Sequence, residues 1–319
     1  MKPWLIVVIV IAVIAVIALL LLIFAFLGDK IAFGKRADKN PALKYFTAED
    51  FNLSAQNVSL KGGLNGVLYS DGAQRKDGIV VFCHGMGPGH VAYTTEIAYF
   101  CRLGYRVLAV DSCGCNLSAG KNIKGMYYGV KTAAEAVDYA RSLSENIYLI
   151  GHSWGAYSAL CASKERKVNA VVAISAPDTP AKTVRNGAAP MLSKPFAYIL
   201  QPFWWLVNII KFGAKGNTGA VKSAQSNNTP TLLVHGENDG VVNKSNSACH
   251  KAKGNNIYKL LVKGKAHNPY NTVNAERLLA ELSSKLAKGC KDFSDFDFKA
   301  VTEEDEEVMQ AIAGFIEKY

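Results

Sequence analysis

The sequence predicts an α/β fold, a mostly parallel sheet flanked by helices, carried behind one transmembrane helix. Three observations point there. Short apolar runs alternate along the chain with stretches whose apolar residues recur at helical spacing, the pattern of strand–helix–strand crossovers. One such run ends in "LIGHSWGAY" at 149–157, which places Ser153 between two glycines at a strand-to-helix turn. Residues 4–27 carry no charge, Gly or Pro. As a helix they span roughly 36 Å, enough to cross a bilayer with some tilt.

The elements follow in order. Residues 1–28 read as an uncleaved anchor, because secretory signals have apolar cores of only about 7–15 residues. Residues 29–48, with charges of both signs, two Gly over positions 28–34 and Pro41, read as a tether. Residues 52–70 alternate on both sides of Gly62-Gly63 and predict a hairpin. "GIVVFCHG", "YRVLAVDS", "NIYLIGHS", "VNAVVAISAP", "TPTLLVHG" and "NIYKLLVKG" are strands, and helices lie over "TTEIAYFCRLGY", 122–142 and "WGAYSALCAS". The α/β domain is expected over 49–177 and 229–319. Residues 178–228 fit neither period and read as an insertion after the sixth strand. Its segment "PFAYILQPFWWLVNIIKFGAK" is too short and too broken by Pro to read as a second span. Its aromatic residues, Phe203, Trp204 and Trp205 among them, suit an acyl-chain pocket or a helix packed on the domain.

Composition narrows the function. The chain of 319 residues is 50% apolar, which excludes wholesale disorder. Net charge is +10, although residues 291–319 hold only three Lys against nine Asp or Glu. A basic body behind an anchor suits anionic headgroups, and no Arg-rich stripe points to nucleic acid. Seven Cys form no C-x-x-C pair, so no zinc site is expected, and they read as unpaired thiols, most of them core filler.

A serine hydroxyl needs a base to become a nucleophile, and the base needs a partner to fix its tautomer. His267, in "VKGKAHNPY", follows the last strand. Asp239, in "LLVHGENDGVV", follows the strand before it, with Glu237 as the rival acid on the same loop. The negative charge that develops on a carbonyl oxygen needs N–H donors. The expected ones are Trp154, directly after Ser153, and Met86, in the glycine-rich loop "CHGMGPGH". His152 and His90 read as structural, His250 as a surface residue, and Asp111 as the brace of a turn.

"HGMG", "DSCGCNLS", "GHSWG", "HGENDGVV" and "GKAH" occur in the order found in the α/β-hydrolase superfamily, and residues 50–285 resemble its lipase, esterase and monoacylglycerol-lipase-like members. The resemblance implies an α/β-hydrolase fold with a small helical cap inserted after the sixth strand. It implies a triad of Ser153, Asp239 and His267, an acyl-enzyme, and no metal or cofactor. The third segment departs from the usual Asp-x-Arg-Gly-x-Gly-x-Ser, with Cys113 in place of the Arg and Asn116 in place of the second Gly. The reading is a membrane-anchored serine hydrolase for acyl-ester or lipid-like substrates, with Phe203, Trp204 and Trp205 binding substrate and membrane lipid as a further partner. The alternatives are a peptidase or thioesterase on the same triad, or a non-catalytic binding module. Lys30, Lys35, Arg36 and Lys39 behind the anchor favour a cytoplasmic domain, although many exported enzymes also begin with a short tail holding one Lys.

Overall fold

The computed structural model of the chain describes residues 2–319. The apolar run forms helix α1, Pro3–Phe33. After it come the hairpin β1 (Ser54–Leu60) and β2 (Leu64–Ser70), then β3 (Ile79–Cys83), α2 (Thr94–Arg102), β4 (Arg106–Val110), α3 (Met126–Arg141), β5 (Ile147–His152), α4 (Trp154–Ala162) and β6 (Ala170–Ile174). Three helices, α5 (Pro180–Leu192), α6 (Lys194–Phe212) and α7 (Ala220–Gln225), precede β7 (Thr231–Gly236). The chain closes with α8 (Ala248–Lys251), β8 (Ile257–Val262), α9 (Val273–Ala287), α10 (Phe298–Val301) and α11 (Glu306–Ile316).

The eight strands form one sheet in the order β1-β2-β4-β3-β5-β6-β7-β8. The two hairpin strands run antiparallel and the other six run parallel to one another. Side chains alternate across it, as strand geometry requires. Ile79, Val81 and Cys83 face α3 and α4, while Val80 and Phe82 face α2 and α11. Such double-sided burial explains why β3 to β7 read as continuous apolar runs, whereas the edge strand β8 is half exposed. The acidic C-terminal stretch belongs to this core. Val308, Met309, Ile312, Phe315 and Ile316 of α11 are all buried against it, and the charges lie on the opposite face or in the loop before the helix.

Two sequence expectations change. The segment 195–215 is not broken by Pro, because Pro195 sits in the first turn of α6, where its missing N–H costs nothing, and Pro202 is accommodated on an exposed face. Residues 29–48 are not a free tether. α1 continues to Phe33, and Ala25, Asp29 and Phe33, spaced one helical turn apart, are buried against the domain. The Trp204 indole donates to the Ala25 carbonyl at 3.2 Å, and Lys211 pairs with Asp29. Arg36 then donates to the carbonyls of Asn116, Ser118 and Gly120. The guanidinium that engages the loop after β4 therefore comes from outside the loop, where Cys113 is buried in the core. Asn116 takes the left-handed conformation, φ 37°, that a Gly would adopt there without strain.

Candidate active site

Ser153 stands between β5 and α4 with φ 54° and ψ −116°, a conformation costly for a residue with a Cβ. The surroundings impose it. Its N–H donates to the Ile174 carbonyl of β6 at 2.8 Å. The flanking glycines are required by close approach. A Cβ on Gly155 would lie 1.9 Å from the Cys83 carbonyl oxygen, and one on Gly151 would lie 2.5 Å from the Gly155 backbone. The tight turn thus presents the hydroxyl at the carboxyl end of the parallel strands, where open α/β sheets bind ligands.

The structure brings the three sequence-predicted residues together. His267 Nε2 lies 3.0 Å from Ser153 Oγ, and its Nδ1 lies 2.9 Å from Asp239 Oδ2. A carboxylate only accepts, so Nδ1 carries the proton and Nε2 is left to accept from the serine hydroxyl. Asp239 is buried, and its other oxygen accepts from the Val241 and Val242 amides at 2.8 Å each. Burial opposes its ionisation, but the His267 hydrogen bond and charge, with the Val242 amide, hold its carboxyl below the usual range. Glu237 is exposed and its carboxylate reaches only the Gly264 amide, at 3.4 Å.

Of the residues that hold His267, only His152 lies in a sequence motif, where it reads as structural, and Lys265, Asp305 and Glu276 carry none. Lys265, buried, reaches Asp305 at 2.7 Å and the Asn271 carbonyl. Glu276 accepts from the Ala266 amide at 3.0 Å. His152 bonds the His267 carbonyl at 3.0 Å through Nε2, which must donate. Its Nδ1 then accepts from Tyr93 Oη at 2.9 Å, and Tyr93 Oη accepts from the Gly85 amide at 3.0 Å. Burial, then the neighbouring His267, pushes His152 down to about 3, so it stays neutral and keeps this tautomer. One hydrogen-bonded path therefore links the loop of Met86 to the loop of His267. Chain distance hid these partners, since Asp305 lies 40 residues beyond Lys265.

The Trp154 N–H is the first of α4, without an intrahelical partner, and the Met86 N–H has no protein acceptor among the described residues. The Met86 loop is held from behind. Asp111 accepts from the His90 amide and ring at 2.7 and 2.9 Å, and from Asn116 and Leu117 through its other oxygen. A cavity of about 540 Å³ opens in front of Ser153, lined by Met86 and Trp154 on one side and by apolar residues of α1, α5 and α6 on the other. Of the three aromatic residues expected there, only Trp204 lines it. Phe203 packs half-buried among the helices, and Trp205 is 51% exposed. Consecutive positions on a helix point about 100° apart, so one face cannot hold all three.

The chain has the α/β-hydrolase fold. A protein family described as "alpha/beta hydrolase fold" matches residues 78–203. Among solved structures, the esterase PF2001 of Pyrococcus furiosus superposes with a TM-score of 0.57 at 21% identity, over 80% of this chain and 98% of that one. A candidate lipase, lip1, of Acinetobacter baumannii AYE gives 0.50 at 15% identity, over 76% and 94%. Such identities speak for the fold alone. Protein ABHD8 of Mus musculus is 33% identical over 86 residues, 26% of this chain and 19% of that protein. The chain thus matches about a fifth of the length of this curated relative.

Proposed function

We propose that this protein is a membrane-anchored serine hydrolase that cleaves carboxylic esters carrying an acyl chain. The observation that carries the reading is the unbroken hydrogen-bonded chain Ser153–His267–Asp239, placed at the strand ends and opening on an apolar cavity. Ser153 Oγ attacks the ester carbonyl while His267 Nε2 takes its proton, and Asp239 stabilises the imidazolium. The Met86 and Trp154 amides receive the negative charge on the carbonyl oxygen. The tetrahedral adduct collapses, the C–O bond to the alcohol breaks, and His267 returns its proton to the leaving oxygen. Water then attacks the acyl-enzyme by the same route, its proton passing through His267 to Ser153, which leaves the free acid. The apolar lining favours an acyl chain over a peptide, whose backbone would need hydrogen-bond partners there.

α1 supports the anchor, being a helix of 31 residues whose first fifteen positions, 3–17, are all apolar and exposed. The helices inserted between β6 and β7 serve as the cap. Labelling by a fluorophosphonate probe tests the reading. The unaltered chain should label and Ser153→Ala should not. A folded unaltered chain that neither labels nor hydrolyses any ester would leave the binding-module alternative. The basic residues behind α1 favour a domain on the cytoplasmic side. Six of the seven free thiols are buried and Cys290 is exposed. An impermeant maleimide should therefore reach Cys290 only after cells are opened, and labelling of intact cells would place the domain outside.

A further inference from the structure

We infer that the last turns of α1 are part of the substrate site: they form one wall of the cavity in front of Ser153, and the acyl chain of a bilayer-resident ester enters that cavity sideways from the membrane. The inference rests on the serine-hydrolase reading above and adds to it the origin of the substrate and the role of the anchor.

Four observations carry it. First, the cavity that contains Ser153 and Trp154 is closed on its far side by Phe24, Leu27, Ile31 and Phe33 of α1. Second, α1 is seated by contacts that a mere anchor would not need. The Trp204 indole donates to the Ala25 carbonyl, the Phe24 and Phe196 rings meet edge to face at 5.6 Å, and Lys211 pairs with Asp29. Gly28 lies against the Trp204 ring so closely that a Cβ there would stand 3.2 Å from the indole nitrogen. Any uncharged helix can cross a bilayer, whereas only a particular sequence can make this set of contacts.

Third, the length of α1 sets the height of the cavity. The first charge after Lys2 is Asp29. At about 1.5 Å per residue, positions 4–23 fill a hydrocarbon core of roughly 30 Å. Phe24 to Phe33 then stand at the headgroup boundary, the depth at which the ester groups of bilayer lipids lie. Fourth, the outward face of α6 is built for that depth. Tyr198, Ile199, Trp205 and Ile210 are each more than half exposed, and no charged residue separates them. Aromatic side chains favour the interface because one part of the ring system is apolar and another can stay wet. Beside α1, this face buries its apolar surface only if the insertion rests in the membrane surface. An acyl chain whose carbonyl is at Ser153 then lies along Leu27 and Phe24 toward the hydrocarbon.

The test compares two fluorophosphonates, one with a long alkyl chain and one with a short chain, on the full chain in phosphatidylcholine vesicles. The readout is the ratio of their labelling rates at Ser153. Leu27→Trp combined with Ala32→Trp narrows the α1 wall and should lower the long-to-short ratio at least tenfold. Replacing residues 4–20 by another uncharged apolar sequence should leave the ratio unchanged, because none of those residues lines the cavity. Replacing residues 21–33 by a Leu-rich helix that keeps Asp29 should keep the protein in the vesicles and lower the ratio as the Trp pair does. Short-chain labelling in each variant reports that the domain has folded. An unchanged ratio in both the Trp pair and the 21–33 replacement would reduce α1 to an anchor and overturn the inference. A folded, unaltered chain that reacts with neither probe would overturn the hydrolase reading and the inference with it.

Discussion

The two walls of the cavity are built by different physics. On the Ser153 side, atoms are positioned by backbone hydrogen bonds of the sheet and by approaches that leave no room for one methyl group. On the α1–α5–α6 side, helices meet mainly through apolar side chains, joined by the Trp204 indole hydrogen bond, the Lys211–Asp29 pair and the contacts of Arg185 with Gln201 and Tyr198. The first wall can hold reacting atoms within tenths of an ångström. The second can adapt to a chain of variable length. The division suits the proposed hydrolase, which would need fixed chemistry on acyl chains of variable length.

Glycines break the comparison most sharply. Gly155→Val should yield no folded protein, since its Cβ would sit 1.9 Å from the Cys83 carbonyl oxygen, far beyond the overpacking that costs about 1–3 kcal/mol. Gly187, on α5 and lining the opposite wall, has nothing within 4 Å of a Cβ built on it. Gly187→Ala should therefore stabilise the helix by roughly 0.5–1 kcal/mol. Thermal unfolding in detergent measures both, and equal tolerance at the two sites would undo the distinction.

The next largest effect lies within the polar wall. Asp239→Asn should lower kcat for a soluble acetate ester by on the order of 10⁴ if the His267 tautomer is lost. Glu237→Gln on the same loop should change it less than twofold, because that carboxylate is exposed and bonds the Gly264 amide, while His267 pairs with Asp239. The reverse ranking would move the acid to Glu237.

This wall was legible in the sequence for a physical reason. A parallel strand that ends in a turn places its next residue at one edge of the sheet, so Ser153, Asp239 and His267 could be located from three strand ends. The hairpin and the strand–helix alternation were legible in the same way. The opposite wall was legible only as composition. Which aromatic residue of "FWW" turns inward depends on where α1 lies, and nothing in the local pattern says that α1 docks. The same holds for Lys265 and Asp305, joined only because α11 packs beneath the sheet. Sequence exposes periodicity within an element far better than the partner that an element chooses.

Trp204 and Trp205 sharpen the comparison at smaller scale. Trp204 is 2% exposed and lines the cavity, whereas Trp205 faces outward. Trp204→Ala should cost about 3–5 kcal/mol of stability, as large core truncations do. It should also depress hydrolysis of long-chain esters more than that of acetate esters. Trp205→Ala should change folding stability by no more than about 0.5 kcal/mol, as exposed substitutions do, and instead weaken the hold of the insertion on vesicles. The difference in quenching by brominated lipid between the unaltered chain and Trp205→Ala would report the depth of Trp205, and no difference would place that face of α6 clear of the membrane.

The smallest expected effect concerns how the polar wall is tied down. Glu304 sits beside Asn271 in a short antiparallel bridge, between Lys265 and Asp305 on one side and α11 on the other. One of its carboxyl oxygens is buried with no hydrogen-bond partner. Burial, then the charge of Glu96, pushes Glu304 up to about 9, against the pull of Arg102, and burial pushes Glu96 up to about 7. A carboxyl whose pKa is raised by folding binds its proton more tightly in the folded chain. Its contribution is therefore complete below about pH 4, where the unfolded chain is also protonated, and it is lost as pH rises through the folded value. Stability should fall from about pH 4.5, where the unfolded carboxyls ionise, to about pH 9, with a slope of at most about 1.4 kcal/mol per pH unit for each proton and only Glu304 contributing above about pH 7. Glu304→Gln keeps the shape and removes one titration, so the fall should become shallower, with stability little changed below about pH 4 and the variant's advantage growing from there to about pH 9. Because Glu304 lies in the segment that clamps the His267 loop, ester hydrolysis by the folded, unaltered chain should decline as pH rises through about 9, and the Gln variant should resist that decline. A variant whose unfolding temperature drops with pH as steeply as the parent would show that other groups carry the alkaline instability.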